Sequence, residues 1–265
     1  MQHDPLFDLT GRVIVVTGGL GQLGRAYTET LTARGARVAV LDARVPEGTP
    51  NPEGGLVLQA DVTSRESLEQ ALGRIRAEFG EPVGLINNAA LDSPPNAPLE
   101  ENGPFETYPE SSFERVMEVN VKGVFLCCQV FGGAMAARSG GSIVNIGSIY
   151  GLVSPNQDIY QYRRDRGEEF YKPVAYSASK SALLNMTRYL AVYWAEKGVR
   201  VNTLTLAGVF NHQDESFLSE YAKRMPMRRM ADRHDYDGAL VFLLSDASAY
   251  MTGSNLVVDG GWTAW

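Results

Sequence analysis

The chain has 265 residues, of which 44% are hydrophobic and 21% charged, with a formal net charge of −7. This length suits one large α/β domain, and the composition excludes a disordered or fibrous chain. The acidic balance implies no broad basic surface, which argues against nucleic acid as a partner.

The only two cysteines, Cys127 and Cys128, are adjacent and sit in an apolar run, so no disulfide framework is expected. Buried free thiols in a reducing cytoplasm fit this pattern. The start Met1-Gln2-His3-Asp4-Pro5 lacks the basic and apolar regions of a secretory leader. The apolar runs fall short of the ~20 residues of a membrane span, so no membrane association is expected. The predicted location is cytoplasmic.

Strand-like and helix-like segments alternate along the chain. Residues 12–17 form a β-branched run ended by Gly18-Gly19. Residues 22–34 have helical periodicity and stop at Gly35. Residues 37–41 are a second strand, closed by Asp42, and 56–59 a third. Ser64 is placed to cap a helix that runs to about Phe79, with Gly80 after it. Residues 83–86 are a fourth strand. A long helix opens at Ser111/Ser112 and reaches about Arg138. Residues 142–146 are a fifth strand, 174–197 a helix stopped by Gly198, 199–204 a sixth strand and 255–258 a seventh. Residues 45–55, 91–109 and 154–173 read as loops. Nearly all-apolar strands linked by helices imply a parallel sheet covered on both faces. The right-handed crossover rule makes it a doubly wound, single-domain Rossmann-type α/β fold.

Gly19-Leu20-Gly21-Gln22-Leu23-Gly24 follows the first strand and opens a helix. Glycines let the backbone approach a pyrophosphate, and a helix N-terminus offers free N–H groups and a positive dipole end. Asp42 ends the second strand about 20 residues further on, as dinucleotide-binding units require. Its carboxylate suits a ribose diol and would repel a 2′-phosphate, so NAD is expected over NADP, although Arg44 lies close in sequence.

Tyr176-Ser177-Ala178-Ser179-Lys180 puts a phenol and an ammonium on one helix face. A neighbouring ammonium favours phenolate and makes a usable base from a group that normally titrates at about 10. Tyr193 and Lys197 share the spacing, but they close the helix and read as packing and a C-terminal charge. Ser148 follows the fifth strand, at the strand ends where open α/β sheets bind ligands. No HxxxH or CxxC spacing points to a metal.

These blocks, with Asp61-Val62, Asn87-Asn88-Ala89-Ala90, Asn120 in Val119-Asn120-Val121-Lys122-Gly123 and Val258-Asp259-Gly260-Gly261, make the chain resemble a short-chain dehydrogenase/reductase over nearly its whole length. The resemblance implies a catalytic tetrad of Asn120, Ser148, Tyr176 and Lys180. In it Ser148 orients the substrate oxygen, Tyr176 exchanges the proton, Lys180 lowers the phenol's pKa and holds the nicotinamide ribose, and Asn120 supports a proton relay through water. It also implies cofactor contacts from Gly18, Gly21, Gln22, Leu23, Asp42, Asp61, Val62, Asn88, Ala89, Tyr176, Lys180, Val209 and Asn211. A homotetramer or dimer packed through the two long helices would follow.

Three departures from the family pattern stand out. Gln22 replaces a glycine of the usual turn, with Gly21 before it. The usual Pro-Gly after the sixth strand is Leu206-Ala207-Gly208. Ser148 and Tyr176 lie 28 residues apart, about twice the family's habit. The extra segment, 154–173, carries Arg163, Arg164 and Arg166 and is expected either to shape the substrate pocket, gripping an anion, or to pack on a neighbouring subunit or form a solvated flap. Tyr150, Arg163 and His212 are the substrate-contact candidates. Tyr150-Gly151, the insertion and the Gly-Trp-Thr-Ala-Trp end resemble a bacterial subgroup found with surface-polysaccharide or flagellin-glycan genes, which implies a sugar, sugar-nucleotide or polyol substrate. The reaction expected is oxidation of a secondary alcohol or reduction of its ketone. The alternatives are a non-catalytic NAD(H) sensor or scaffold, which would bind NADH without turnover, and a lyase or epimerase that uses NAD transiently, without net NADH change.

Overall fold

The computed structural model describes residues 4–92, 99–138 and 140–265. Seven parallel strands form one sheet in the order β3-β2-β1-β4-β5-β6-β7. They are β1 (Val13–Thr17), β2 (Arg37–Asp42), β3 (Leu56–Gln59), β4 (Gly84–Asn87), β5 (Gly141–Ser148), β6 (Val199–Leu206) and β7 (Asn255–Val258). The order reverses between β1 and β4. That reversal opens a crevice at the carboxyl ends of the strands, where this architecture binds ligands.

The longer helices among the described residues are α1 (Gln22–Ala33), α2 (Arg65–Phe79), α3 (Glu110–Ala137), α4 (Val174–Trp194), α5 (Glu215–Arg224) and α6 (Asp237–Leu244). Five of them cover the two faces, and the sixth, α5, packs near the strand ends. One core joins Val15, Leu41, Leu85 and Ile143 to Ile75 of α2, Phe131 of α3 and Leu183 of α4. The opposite core joins Val16, Val40, Val144 and Leu204 to Leu31 of α1 and Leu240 of α6. Successive strand residues point to opposite faces. Both faces are dry, so β1 is buried at all five positions and the strands are apolar without alternation.

Most expected elements are present within one or two residues. Ser64 caps α2 by accepting the Ser67 N–H at 3.3 Å, and Gly80 follows with φ 88°. β5 and β6 each run two residues past the expected end, so Ser148 is itself in β5, opposite Leu206. α5 and α6 lie in a region without a sequence assignment. Of the expected loop at 91–109, residues 93–98 lie outside the described set, and 99–102 and 105–107 form short 3-10 turns.

α3 corrects one expectation. It spans 28 residues with a mean hydropathy of 1.4 over its most apolar stretch, which by length and composition matches a membrane-spanning helix. Two thirds of that stretch are buried within the domain, so its apolarity has a core-packing cause. Cys127 and Cys128 lie in that core as free thiols, and burial pushes the Cys128 thiol up to about 12. Phe125 of α3 and Tyr189, Val192 and Tyr193 of α4 are exposed.

A buried polar chain ties the sheet to α4. The Asn87 amide donates to Asn145 Oδ1, the Asn145 amide donates to Thr187 Oγ1, and Thr187 Oγ1 bonds Thr203 Oγ1, each at 2.8 Å. Buried networks of this kind fix one arrangement of a core, although Asn87 Oδ1 is left without a partner here. Thr187→Val leaves the Asn145 amide and Thr203 without partners, and is expected to lower unfolding free energy by about 1–3 kcal/mol in urea titrations; an unchanged midpoint would contradict this role.

Candidate active site

The glycine-rich turn is built on contact distances. Gly18 has φ +60°, and a Cβ there would lie 2.8 Å from the Ala89 Cα. A Cβ on Gly24 would lie 2.4 Å from the Gly18 carbonyl oxygen. These two positions exclude side chains. Gly21 is the residue before α1, and its conformation is extended, with φ −71°. Gln22 is the first helical residue, a position any L-residue can adopt, so the turn keeps its shape without the family's glycine. No side chain caps α1, which leaves its first backbone N–H groups for an anion.

The turn is clamped from both sides. Asn88 donates its amide to the Thr17 and Gly18 carbonyls, both at 3.0 Å, and the Thr17 hydroxyl accepts the N–H groups of Asn88 and Ala89. Asp42 accepts the Leu20 N–H at 3.1 Å and the Arg44 N–H at 3.2 Å. Asp61 accepts from Thr63 twice, and Val62 is buried behind it. Gln22 reaches across to donate to the Phe210 carbonyl at 2.6 Å. The opposite wall is the segment after β6. There Val209 bridges to Ala231 and accepts the Gln213 side-chain amide, and Asn211 donates its N–H to Gln213.

A cavity of about 420 Å³ opens at these strand ends. Gln22, Leu23, Asn88, Ser148, Tyr176 and Lys180 line it, with Val209 and Asn211 opposite. Ser148 Oγ accepts the Tyr150 N–H at 3.2 Å and bonds the Tyr176 phenol. Lys180, only 3% exposed, donates to the Ile146 carbonyl at 2.9 Å. Its ammonium lies 5.7 Å from the Tyr176 ring centre. Gly151 allows this close docking, because a Cβ there would lie 2.9 Å from the Lys180 main chain.

Burial dominates the electrostatics. It raises the Tyr176 pKa above its ordinary value, and the Asp92 carboxylate adds to that rise, while the Ser148 hydrogen bond opposes it. Burial also lowers Lys180 to about 8, against the pull of Asp92. Desolvation disfavours whichever form is charged, so the two move apart, the phenol upward and the ammonium downward, each toward its neutral form.

Asn120 is buried in a π-helical stretch of α3, Glu118–Gly123. Its side chain is spent on Leu91, with both the N–H and the carbonyl bonded, and on Ser179 Oγ at 3.0 Å. It therefore fixes the segment after β4 against α4. π-bulges often mark functional sites in helices.

Two substrate candidates are not brought to the cavity. Arg163 pairs with Glu168 and covers the Phe170 ring at 4.0 Å. His212 packs its ring edge on Phe210 with φ 55° and does not line the cavity. Tyr150 does line it. Tyr193, expected as packing, is 60% exposed and stacks on Tyr189, far along α4 from Tyr176. Sequence reasoning missed Asp92, Lys172, Phe217 and Tyr221 as cavity residues. Asp92 and Lys172 come from segments without periodicity or motif, and Phe217 and Tyr221 from α5, which had no sequence assignment; only the fold brings them together.

The chain belongs to the short-chain dehydrogenase/reductase family. A family model described as enoyl-(acyl carrier protein) reductase matches residues 18–263. An NAD-dependent glycerol dehydrogenase from Listeria innocua serovar 6a is 31% identical over 98% of this chain and 97% of its own length. A galactitol 2-dehydrogenase (L-tagatose-forming) from Cereibacter sphaeroides is 31% identical over the whole of both chains. Among solved structures, a short-chain dehydrogenase from Leptospira borgpetersenii serovar Hardjo-bovis with bound NAD+ superposes with a TM-score of 0.87, at 30% identity over 99% of this chain and 97% of that one.

Proposed function

We propose that this protein is an NAD(H)-dependent dehydrogenase that oxidises a secondary hydroxyl of a polyol, or reduces the matching ketone. The observation that carries this reading is the Tyr176 phenol, bonded to Ser148 and flanked by the Lys180 ammonium at the mouth of a dinucleotide-type crevice. The glycerol and galactitol dehydrogenase relatives support a polyol, and the first of these and the NAD+-bound Leptospira structure support NAD.

The donor set fits a dinucleotide. The Gly18–Gly24 turn would hold its pyrophosphate, Asp42 its adenosine ribose, and Asp61 and Val62 its adenine. Asn88, Ala89, Val209 and Asn211 would line its nicotinamide half, with Tyr176 and Lys180 at the ribose. When bound, it supplies the two-electron redox partner of the alcohol. The chain's own residues manage the oxygen and the proton. Ser148 holds the substrate oxygen by hydrogen bonding. Tyr176 takes the alcohol proton in oxidation and returns it to the ketone oxygen in reduction. Lys180 is charged below about 8, and its charge stabilises the phenolate. Asn120 keeps the relay side of the site in register through Leu91 and Ser179.

Oxidation needs Tyr176 deprotonated, and burial raises its pKa above the ordinary value, so the rate is expected to keep rising with pH into the alkaline range. Reduction needs the phenol protonated and falls over the same range. Tyr176→Phe is expected to lower kcat for glycerol or galactitol by about 10²–10⁴-fold while NADH binding, read by fluorescence, is retained; full turnover by this variant would refute the assignment. Asp42→Ser removes the charge that would repel a 2′-phosphate, and the NAD-to-NADP ratio of kcat/KM is expected to fall about tenfold or more. An unchanged ratio would contradict the role given to Asp42.

A further inference from the structure

The insertion between β5 and α4 is a folded unit with its own small core. Ile159, Tyr160 and Phe170 are buried together against Phe217 and Trp262. Its arginines are engaged within the protein. Arg164 donates to the Phe170 and Gln157 carbonyls, and Arg166 donates to Ser216 and pairs with Asp214. With Arg163 on Glu168 and Phe170, these three cations are used to hold the insertion together and to α5. None of them lines the reactive cavity.

The insertion does deliver one cation to the cavity. Gln157 grips the Lys172 main chain with both ends of its amide, accepting the N–H at 2.9 Å and donating to the carbonyl at 3.1 Å. The Lys172 ammonium then lies 5.1 Å from the centre of the Tyr176 ring and pairs with Asp92 on the facing wall. The two partners differ in exposure. The Lys172 side chain is 8% exposed and that of Asp92 53%. A paired ammonium keeps further N–H donors, and a half-exposed carboxylate lining the cavity can take hydrogen bonds from more than one donor. Acceptor and donor thus stand side by side, within a few carbon–carbon bonds of the reacting position. A hydroxyl is both donor and acceptor, so two neighbouring hydroxyls complement this pair. A carboxylate or phosphate on the substrate would meet Asp92 as a like charge.

Resting on the polyol reading above, we propose that the Asp92–Lys172 pair is the specificity-determining element of the cavity. It recognises hydroxyls on the carbons beyond the reacting one, with Asp92 accepting and Lys172 donating. The preferred substrate is therefore an uncharged polyol, in preference to a sugar acid or a phosphate-bearing sugar.

The test compares kcat/KM for glycerol and galactitol with that for 2-butanol, which has a single hydroxyl, and for gluconate. It uses wild type, Asp92→Asn, Lys172→Met and the double variant, with thermal melts to confirm folding. Each single variant is expected to lower the polyol-to-butanol ratio by about 10- to 100-fold, the value of a hydrogen bond to a charged group, and to do so mainly through KM. Asp92→Asn is expected to raise the gluconate-to-polyol ratio. Equal losses on 2-butanol and the polyols would show that the pair only anchors the insertion, and would overturn the proposal, as would an unchanged polyol ratio. If wild type turns over none of these alcohols, the dehydrogenase reading fails by itself. Calorimetric titration of galactitol into the NAD-loaded protein then decides the pair separately: binding that Asp92→Asn weakens supports it, and no binding or equal binding overturns it.

Discussion

The site depends on how α4 is held against β5. Lys180 projects from α4 onto the Ile146 carbonyl, and Asn145, the preceding residue of β5, bonds Thr187 about two turns along the same helix. Those two attachments fix both the rotation and the height of α4 on the sheet. Tyr176 then lies in the same cavity as Ser148, at the end of β5. The 3-10 turn Ile149–Gly151 packs on the same helix, and only glycine fits where it touches Lys180. An ammonium so little exposed is costly unless it is hydrogen-bonded, and the strand carbonyl offsets part of that cost.

The same burial prepares the chemistry. An exposed lysine would titrate far above an alcohol dehydrogenase's working range, and an exposed tyrosine would gain little from a screened charge. Taken out of water, Lys180 drops to about 8 while Tyr176 rises. Their ionisations become coupled, and the proton position in the pair is then sensitive to small changes of nearby charge. Asp92 is such a charge. It acts on both groups, and its pairing with Lys172 sits at the same wall of the cavity.

The sheet and the meeting of Ser148, Tyr176 and Lys180 in one cavity were legible in the sequence because both follow from local pattern. Apolar runs of four to six residues ended by Gly or Asp marked the strands, and the order of Asn120, Ser148, Tyr176 and Lys180 separated Tyr176 from the equally spaced Tyr193. The turn was legible in part. The motif glycines were visible, but which of them exclude a side chain was not: Gly18 and Gly24 do, whereas Gln22 needs no special backbone. The specificity wall was not legible. Arg163 is a more obvious anion ligand than Lys172 in the sequence, yet Glu168, five residues on, captures it. Lys172 reaches the cavity only because Gln157, fifteen residues earlier, fixes its main chain. α3 was read as a helix, but the length of its apolar stretch was underestimated, since a stretch buried inside a domain has the composition of one buried in lipid.

The central claim is that the buried charge on Lys180 sets where Tyr176 releases its proton. The pH dependence of kcat/KM for polyol oxidation, measured for wild type and Lys180→Met, tests it most directly. The alkaline rise is expected to move to higher pH by about one unit or more in the variant, because a phenolate without its cation is less stable. A rise at the same pH in both proteins would contradict the account.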